Sequence, residues 1–282
     1  MDKARGTYRC FDVEIADQVA HIRLNRPDEY NSMIAEFWSE LPQIVDGISA
    51  DASARAIVLS STGKHFCAGM DLAVFAGGQD DADAELGRRQ ARLRGTVKTL
   101  QHTASCLEQA RMPVLVAVQG GCIGGALDLA TAADLRYCSA DAFFVVQEIN
   151  IGMTADIGTL QRLGTCVPEG VARELAYTGR RMPAQRAYEV GLVQQVYADH
   201  GSLVEGVLET AREIASKSPL AIHGTKVAMN FARDHGVEQS LDQMATWQAG
   251  MFQPADMVES FTAKAEKREA KYPDLLPERS SL

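Results

Sequence analysis

The stretch from Met112 to Ala133, MPVLVAVQGGCIGGALDLATAA, most constrains what this chain can fold into: it is nearly free of charge, yet it cannot cross a membrane. Asp128 is its only charged residue, but Gly120, Gly121, Gly124 and Gly125 interrupt it, and the apolar run before them is only Val114 to Val118. The pattern predicts a buried strand, a glycine turn and a helix beginning near Gly124, whose free N–H groups form a positive helix end. Such an end can hold a developing oxyanion, and glycine lets a backbone approach a ligand closely. Taken alone, the segment reads first as a helix packed on its neighbours through small residues. It contains no G-x-G-x-x-G, and Gly120 to Gly125 has phosphate-loop spacing but is followed by Ala126-Leu127 instead of Lys-Ser/Thr.

With 282 residues the chain has room for one large or two modest domains, and 46% apolar with 23% charged residues excludes a disordered or fibrous protein. Its net charge of −9, with no basic block, argues against a nucleic-acid partner. Six scattered cysteines without a C-x-x-C pair predict buried free thiols, with neither a disulfide framework nor a metal site. The start, MDKARGTYRC, has neither an apolar signal core nor an amphipathic Ser/Arg-rich transit pattern, which leads us to expect a cytoplasmic protein. The final Ser280-Ser281-Leu282 resembles a peroxisomal S-K-L tail without its basic middle residue and is read as an ordinary terminus.

Short β-type runs alternate with helical patterns in the first part, the mark of a layered α/β fold. Val19 to Leu24, Ala56 to Ser60, Val114 to Val118, Leu135 to Cys138 and Ala142 to Val146 read as strands. A helix capped by Asn31 or Ser32 should run to about Ile48, and a polar one from about Ala82 to Gln109. From Pro183 onward the pattern is helical: Ala184 to Val190, Leu203 to Ser216, Leu220 to Arg233, Val237 to Gly250 and Asp256 to Glu269. The texture changes near residue 200, which suggests a core over 1–200 and a helical appendage over 201–282.

Three carboxylates draw notice as a set. Asp128 lies one turn into an apolar helix, Glu148 ends the run Ala142 to Val146, and Asp156 follows in NIGMTADIGTLQRL. Singly, Glu148 is a strand-end charge and Asp156 an ordinary N-cap; together they suggest acid/base work. In KHFCAGMDL, from Lys64 to Leu72, the small-residue turn at Ala68-Gly69 can project the Met70 N–H. His65 lacks a nucleophile motif beside it, and no G-x-S-x-G occurs. Lys264 to Lys271 reads as a solvated helix face.

FCAGMDL, PVLVAVQGGCIGGALDLATAADLRYCSADAFF and QEINIGMTADIGTLQRL, with NRPDEYNSM near the start, resemble the crotonase, or enoyl-CoA hydratase/isomerase, superfamily over most of the chain. Within it the chain is most similar to the Δ3,5-Δ2,4-dienoyl-CoA isomerases. Hydratases usually carry glutamates at the positions of Asp128 and Glu148 and glycine at that of Asp156, whereas dienoyl-CoA isomerases carry aspartate there. Dehalogenase relatives place a nucleophilic aspartate at that position but pair it with tryptophan where this chain has Glu148.

The resemblance implies a spiral of ββα units with a C-terminal helical trimerisation region, assembled as a homotrimer or homohexamer. It implies an acyl-CoA substrate, coenzyme A being part of that substrate, and no separate cofactor. The backbone N–H groups of Met70 and Gly125 would form the oxyanion hole, Ala68 would line the CoA adenine pocket with Gly124 as a further substrate/CoA-binding position, and Asp128, Glu148 and Asp156 would form the catalytic set. Ala126 stands where many relatives have a third glycine. The reaction expected is transfer of protons between C2 and C6 of a 3,5-dienoyl-CoA to give the 2,4-dienoyl isomer. A 2-enoyl-CoA hydratase is the alternative, and a catalytically silent scaffold that binds acyl-CoA or protein a further one.

Overall fold

A computed structural model of the chain describes residues 8–71, 73–74 and 84–278. Its frame is a six-stranded sheet in the order β1 (Phe11–Ala16), β2 (Val19–Leu24), β3 (Ala56–Ser61), β4 (Val114–Val118), β6 (Leu135–Ser139), β9 (Gln195–Tyr197). Only β1 and β2 pair antiparallel, with Phe11 opposite Leu24, through a tight turn at Asp17 and Gln18, both at positive φ. The other neighbours run parallel. β3 and β4 are buried along their whole length, as parallel strands covered on both faces must be.

The chain leaves this sheet to build a smaller one from β5 (Gly121–Ile123), β7 (Phe143–Val145) and β8 (Met182–Pro183). β4 passes into β5 and then into a helix, and β6 passes into β7 in the same way; Cys67, after β3, bridges Cys122 and extends the small sheet by one more turn of the spiral. These repeats are the expected ββα units. Helix α1 (Phe37–Asp51), α2 (Leu86–Gln109) and α3 (Gly125–Ala132) bury their apolar residues in one core with the sheets.

Beyond the spiral come α4 (Thr159–Cys166), α5 (Glu169–Thr178), α6 (Ala184–Glu189), α7 (His200–Ala215), α8 (Pro219–Asp234), α9 (Val237–Met251) and α10 (Pro254–Glu266). α7 covers the opposite face of the large sheet, setting Leu203, Val207, Ala211 and Ala215 against Val58, Leu115 and Tyr137. The change of texture near residue 200 therefore coincides with a helix that belongs to the sheet's packing. α8 is tied down by buried Lys226, whose Nζ donates to Leu107 O, Met112 O and Asp134 Oδ2 at 2.8–3.0 Å.

The structure departs from the sequence reading at several elements. α1 begins at Phe37, since Asn31 does not cap it: Asn31 sits in the left-handed region and its side chain accepts from Arg26 N–H and donates to Thr62 O and His65 O. α2 begins at Leu86, and the expected start at Ala82 lies outside the described residues, as do Leu72 and Ser280-Ser281-Leu282. β1, β5, β8, β9 and α5 were not anticipated. Asp12 and Glu14 alternate with Phe11, Val13 and Ile15 in β1, an edge-strand pattern, while β5, β8 and β9 are too short to show any period.

Candidate active site

Two backbone donors meet where the spiral's turns cross. After β3, Phe66 N–H donates to Gln119 O and Cys67 N–H to Gly121 O, while Ile123 N–H returns to Cys67 O, so this segment lies along β5. Gly69 must be glycine: its φ is +88°, and a Cβ there would lie 2.7 Å from Ile123 O. Met33 N–H donates to Gly69 O and Asp71 N–H to Met33 O, a pattern that skips the Met70 N–H. Gly124, at φ +55°, uses its N–H on Val145 O and starts α3, leaving Gly125 N–H among the unpaired donors of the first helical turn. Among the described residues neither Met70 N–H nor Gly125 N–H has a hydrogen-bond partner, and a Cβ on Gly69 would reach within 3.7 Å of Gly125 N. Half-buried Ala68 is fixed beside them, its N–H on Tyr30 O at 3.0 Å.

The carboxylates come from three elements. Asp128, on α3, is buried; its Oδ1 accepts the Thr159 N–H at 2.5 Å, while Oδ2 is buried without a partner among the described residues. Asp128 thus satisfies an N-terminal donor of α4. The sequence reading gave that capping role to Asp156; the N-cap position is Gly158, at φ +140°, and Asp128 reaches the helix from 31 residues away. Half-buried Glu148 opens a 3-10 turn through Ile151, and its carboxylate lies against Gly124: a Cβ there would be 3.2 Å from Glu148 Oε1. Asp156 is exposed on the irregular segment between that turn and α4, flanked by buried Ala155 and Ile157.

Charge and burial separate these groups. Burial pushes the Asp128 carboxyl up to about 7; contacts with Thr159 oppose the shift, and the charges of Glu148 and Asp156 reinforce it. Burial also raises Glu148, with Asp156 adding to the shift. The three predicted carboxylates therefore share one electrostatic environment, and Glu148 lies against Gly124, next to the free Gly125 N–H. His65 is structural, its Nδ1 accepting the Gly121 N–H at 2.9 Å. Sequence reasoning missed the part played by NRPDEYNSM: Asn31 clamps the loop before Phe66, and the Met33 side chain packs at Gly125, where a Cβ would meet its Sδ at 2.9 Å.

Residues 14–275 match the model of the family described as enoyl-CoA hydratase/isomerase. The chain is 43% identical over 256 residues to the human mitochondrial Δ(3,5)-Δ(2,4)-dienoyl-CoA isomerase, covering 90% of this chain and 78% of the human one. It is 39% identical to the peroxisomal protein of that name from Arabidopsis thaliana, covering 91% and 93%. Among solved structures, an enoyl-CoA hydratase from Bacillus anthracis superposes with a TM-score of 0.83 at 31% identity over 96% of this chain and all of the other. The expectation of a cytoplasmic protein is overturned by these relatives, whose names place them in mitochondria or peroxisomes. It rested on the composition of a few terminal residues, whereas such addresses are short signals read by receptors, independent of the fold. The spiral of ββα units, the paired backbone donors and a match over nearly the whole length lead to one assignment: the chain belongs to the enoyl-CoA hydratase/isomerase family.

Proposed function

We propose that the chain is a Δ3,5-Δ2,4-dienoyl-CoA isomerase. The observation that carries this reading is the third carboxylate: Asp156 stands within the electrostatic reach of Glu148 and Asp128. Asp156 takes a proton from C2 of the 3,5-dienoyl thioester, and the resulting charge spreads over the dienolate. Met70 N–H and Gly125 N–H hold its oxygen, each such donor lowering the barrier by ~2.7–4 kcal/mol. Glu148, whose raised pKa suits an acid, delivers a proton to C6. Solvent exchange then returns both carboxyl groups to their starting states. The shift leaves the substrate's oxidation level unchanged, so it calls for no nicotinamide or flavin.

The 2,4-dienoyl product is conjugated with the thioester and absorbs at longer ultraviolet wavelength than its isomer. With purified protein and a 3,5-dienoyl-CoA we expect this band to grow, outpacing hydration of a simple 2-enoyl-CoA at least ~10-fold. Rapid hydration with no diene signal would instead favour a hydratase, the activity for which the Bacillus anthracis relative is named.

The assembly belongs to the same reading. Leu241, Met229, Val258 and Phe261 on α8 to α10 are more than half exposed in the single chain, an apolar surface that fits burial between subunits. A homotrimer or homohexamer is the expected state, and sedimentation as a stable 30.6 kDa monomer at micromolar concentration would count against it.

A further inference from the structure

The segment that carries Asp156 has no regular structure of its own, and a carboxylate that moves a proton must be held to within about 1 Å. What holds it comes from α2. Gln101 Nε2 donates to the Asp156 backbone carbonyl at 2.8 Å, across 55 residues of sequence. One and two turns further along the same helical face stand Ser105 and Glu108, and both accept from Arg162 Nη2, at 2.9 and 3.0 Å. Arg162 lies in α4 and packs over Gly158, where any Cβ would collide with the guanidinium. Glu108 is held in turn by Arg233 of α8. One face of α2 thus grips both sides of Asp156: its own carbonyl through Gln101, and the start of the following helix through Arg162.

The face itself is firmly mounted. Thr103, Ala104, Cys106 and Leu107 are buried between Gln101 and Gln109, and Thr103 Oγ1 donates to Trp38 O. Glu148 is mounted differently, on the 3-10 turn that Asn150 fastens by donating to Gly179 O at 2.9 Å. The two carboxylates therefore answer to separate supports.

We propose that Gln101 is a positioning residue for Asp156, setting where its carboxylate meets the substrate without touching the substrate itself. This rests on the isomerase reading above. Gln101→Met keeps the length and removes the donor, whereas Gln101→Lys keeps a donor of similar reach. Gln101→Met should lower kcat for diene isomerisation about tenfold with KM within about twofold, and Gln101→Lys should stay within about threefold of wild type. A second readout separates positioning from general damage. In deuterium oxide, exchange at C2 of the 3,5-dienoyl-CoA and at C6 of the 2,4-dienoyl product reports the two proton carriers independently. Gln101→Met should slow the end that Asp156→Asn slows and spare the end that Glu148→Gln slows. Unchanged kcat in Gln101→Met, or equal slowing at both ends, overturns the proposal while wild-type isomerisation keeps the isomerase reading intact. A wild type that does not convert the 3,5-dienoyl-CoA to its 2,4-isomer overturns the isomerase reading, and the role of Gln101 falls with it.

Discussion

The two halves of the site are built on different principles. The donor half, Met70 and Gly125, is pure backbone, set in the crossings between β3, β5 and α3 by parallel bridges and by glycines that admit no side chain. The carboxylate half hangs from α3, a 3-10 turn and an irregular segment, and its members range from buried Asp128 to exposed Asp156. Side-chain substitution cannot delete the first half, whereas a single residue change rewrites the second. On the proposed isomerase reading, such a fold would keep one means of stabilising a thioester enolate while the proton chemistry varies around it.

The sharpest way to break the contrast is to force a side chain into the donor half. Gly69→Ala places a Cβ 2.7 Å from Ile123 O at a φ of +88°, so Met70 N–H and Gly125 N–H must separate. We expect turnover to fall about 10³-fold, since losing one such donor costs ~2.7–4 kcal/mol. Circular dichroism and subunit mass should be measured alongside, because local misfolding gives the same loss with a changed spectrum.

Next come Glu148 and Asp156, the proposed proton carriers. Glu148→Gln and Asp156→Asn keep shape and remove a titratable proton, so each should lower turnover at least ~100-fold with the fold unchanged. Turnover within about threefold of wild type for both would remove the acid/base pair and leave the donor half working alone.

The smallest effect on rate is expected at Asp128, which joins the halves through Thr159 N–H. Asp128→Asn keeps an oxygen for that bond and should cost about tenfold or less in turnover. Its stability signature is distinct. The folded chain holds the Asp128 proton up to about pH 7, while an unfolded aspartate releases it near 3.8. The group's contribution to stability is therefore fully present below the unfolded value and is lost as pH rises through 7. Asparagine does not ionise, so Asp128→Asn should raise the melting temperature at about pH 8 and much less at about pH 5. Equal shifts at both would show that Asp128 is not the buried acid described.

The sequence by itself determined a good deal. β3, β4 and β7 were legible as short apolar runs, β2 and β6 as β-type runs broken by His21, Arg23 and Arg136, and the start of α3 because paired glycines mark a close crossing. The three carboxylates and the Met70 turn were legible through motif and residue type. Only the tertiary structure decided which donor each group meets: Asp128 and not Asp156 satisfies the start of α4, Asn31 clamps a loop instead of capping α1, and Gln101 reaches the Asp156 carbonyl. Each of these bonds joins residues 31 to 55 apart in the chain, so it depends on how the spiral's turns stack, a register that no local period of hydrophobic residues encodes.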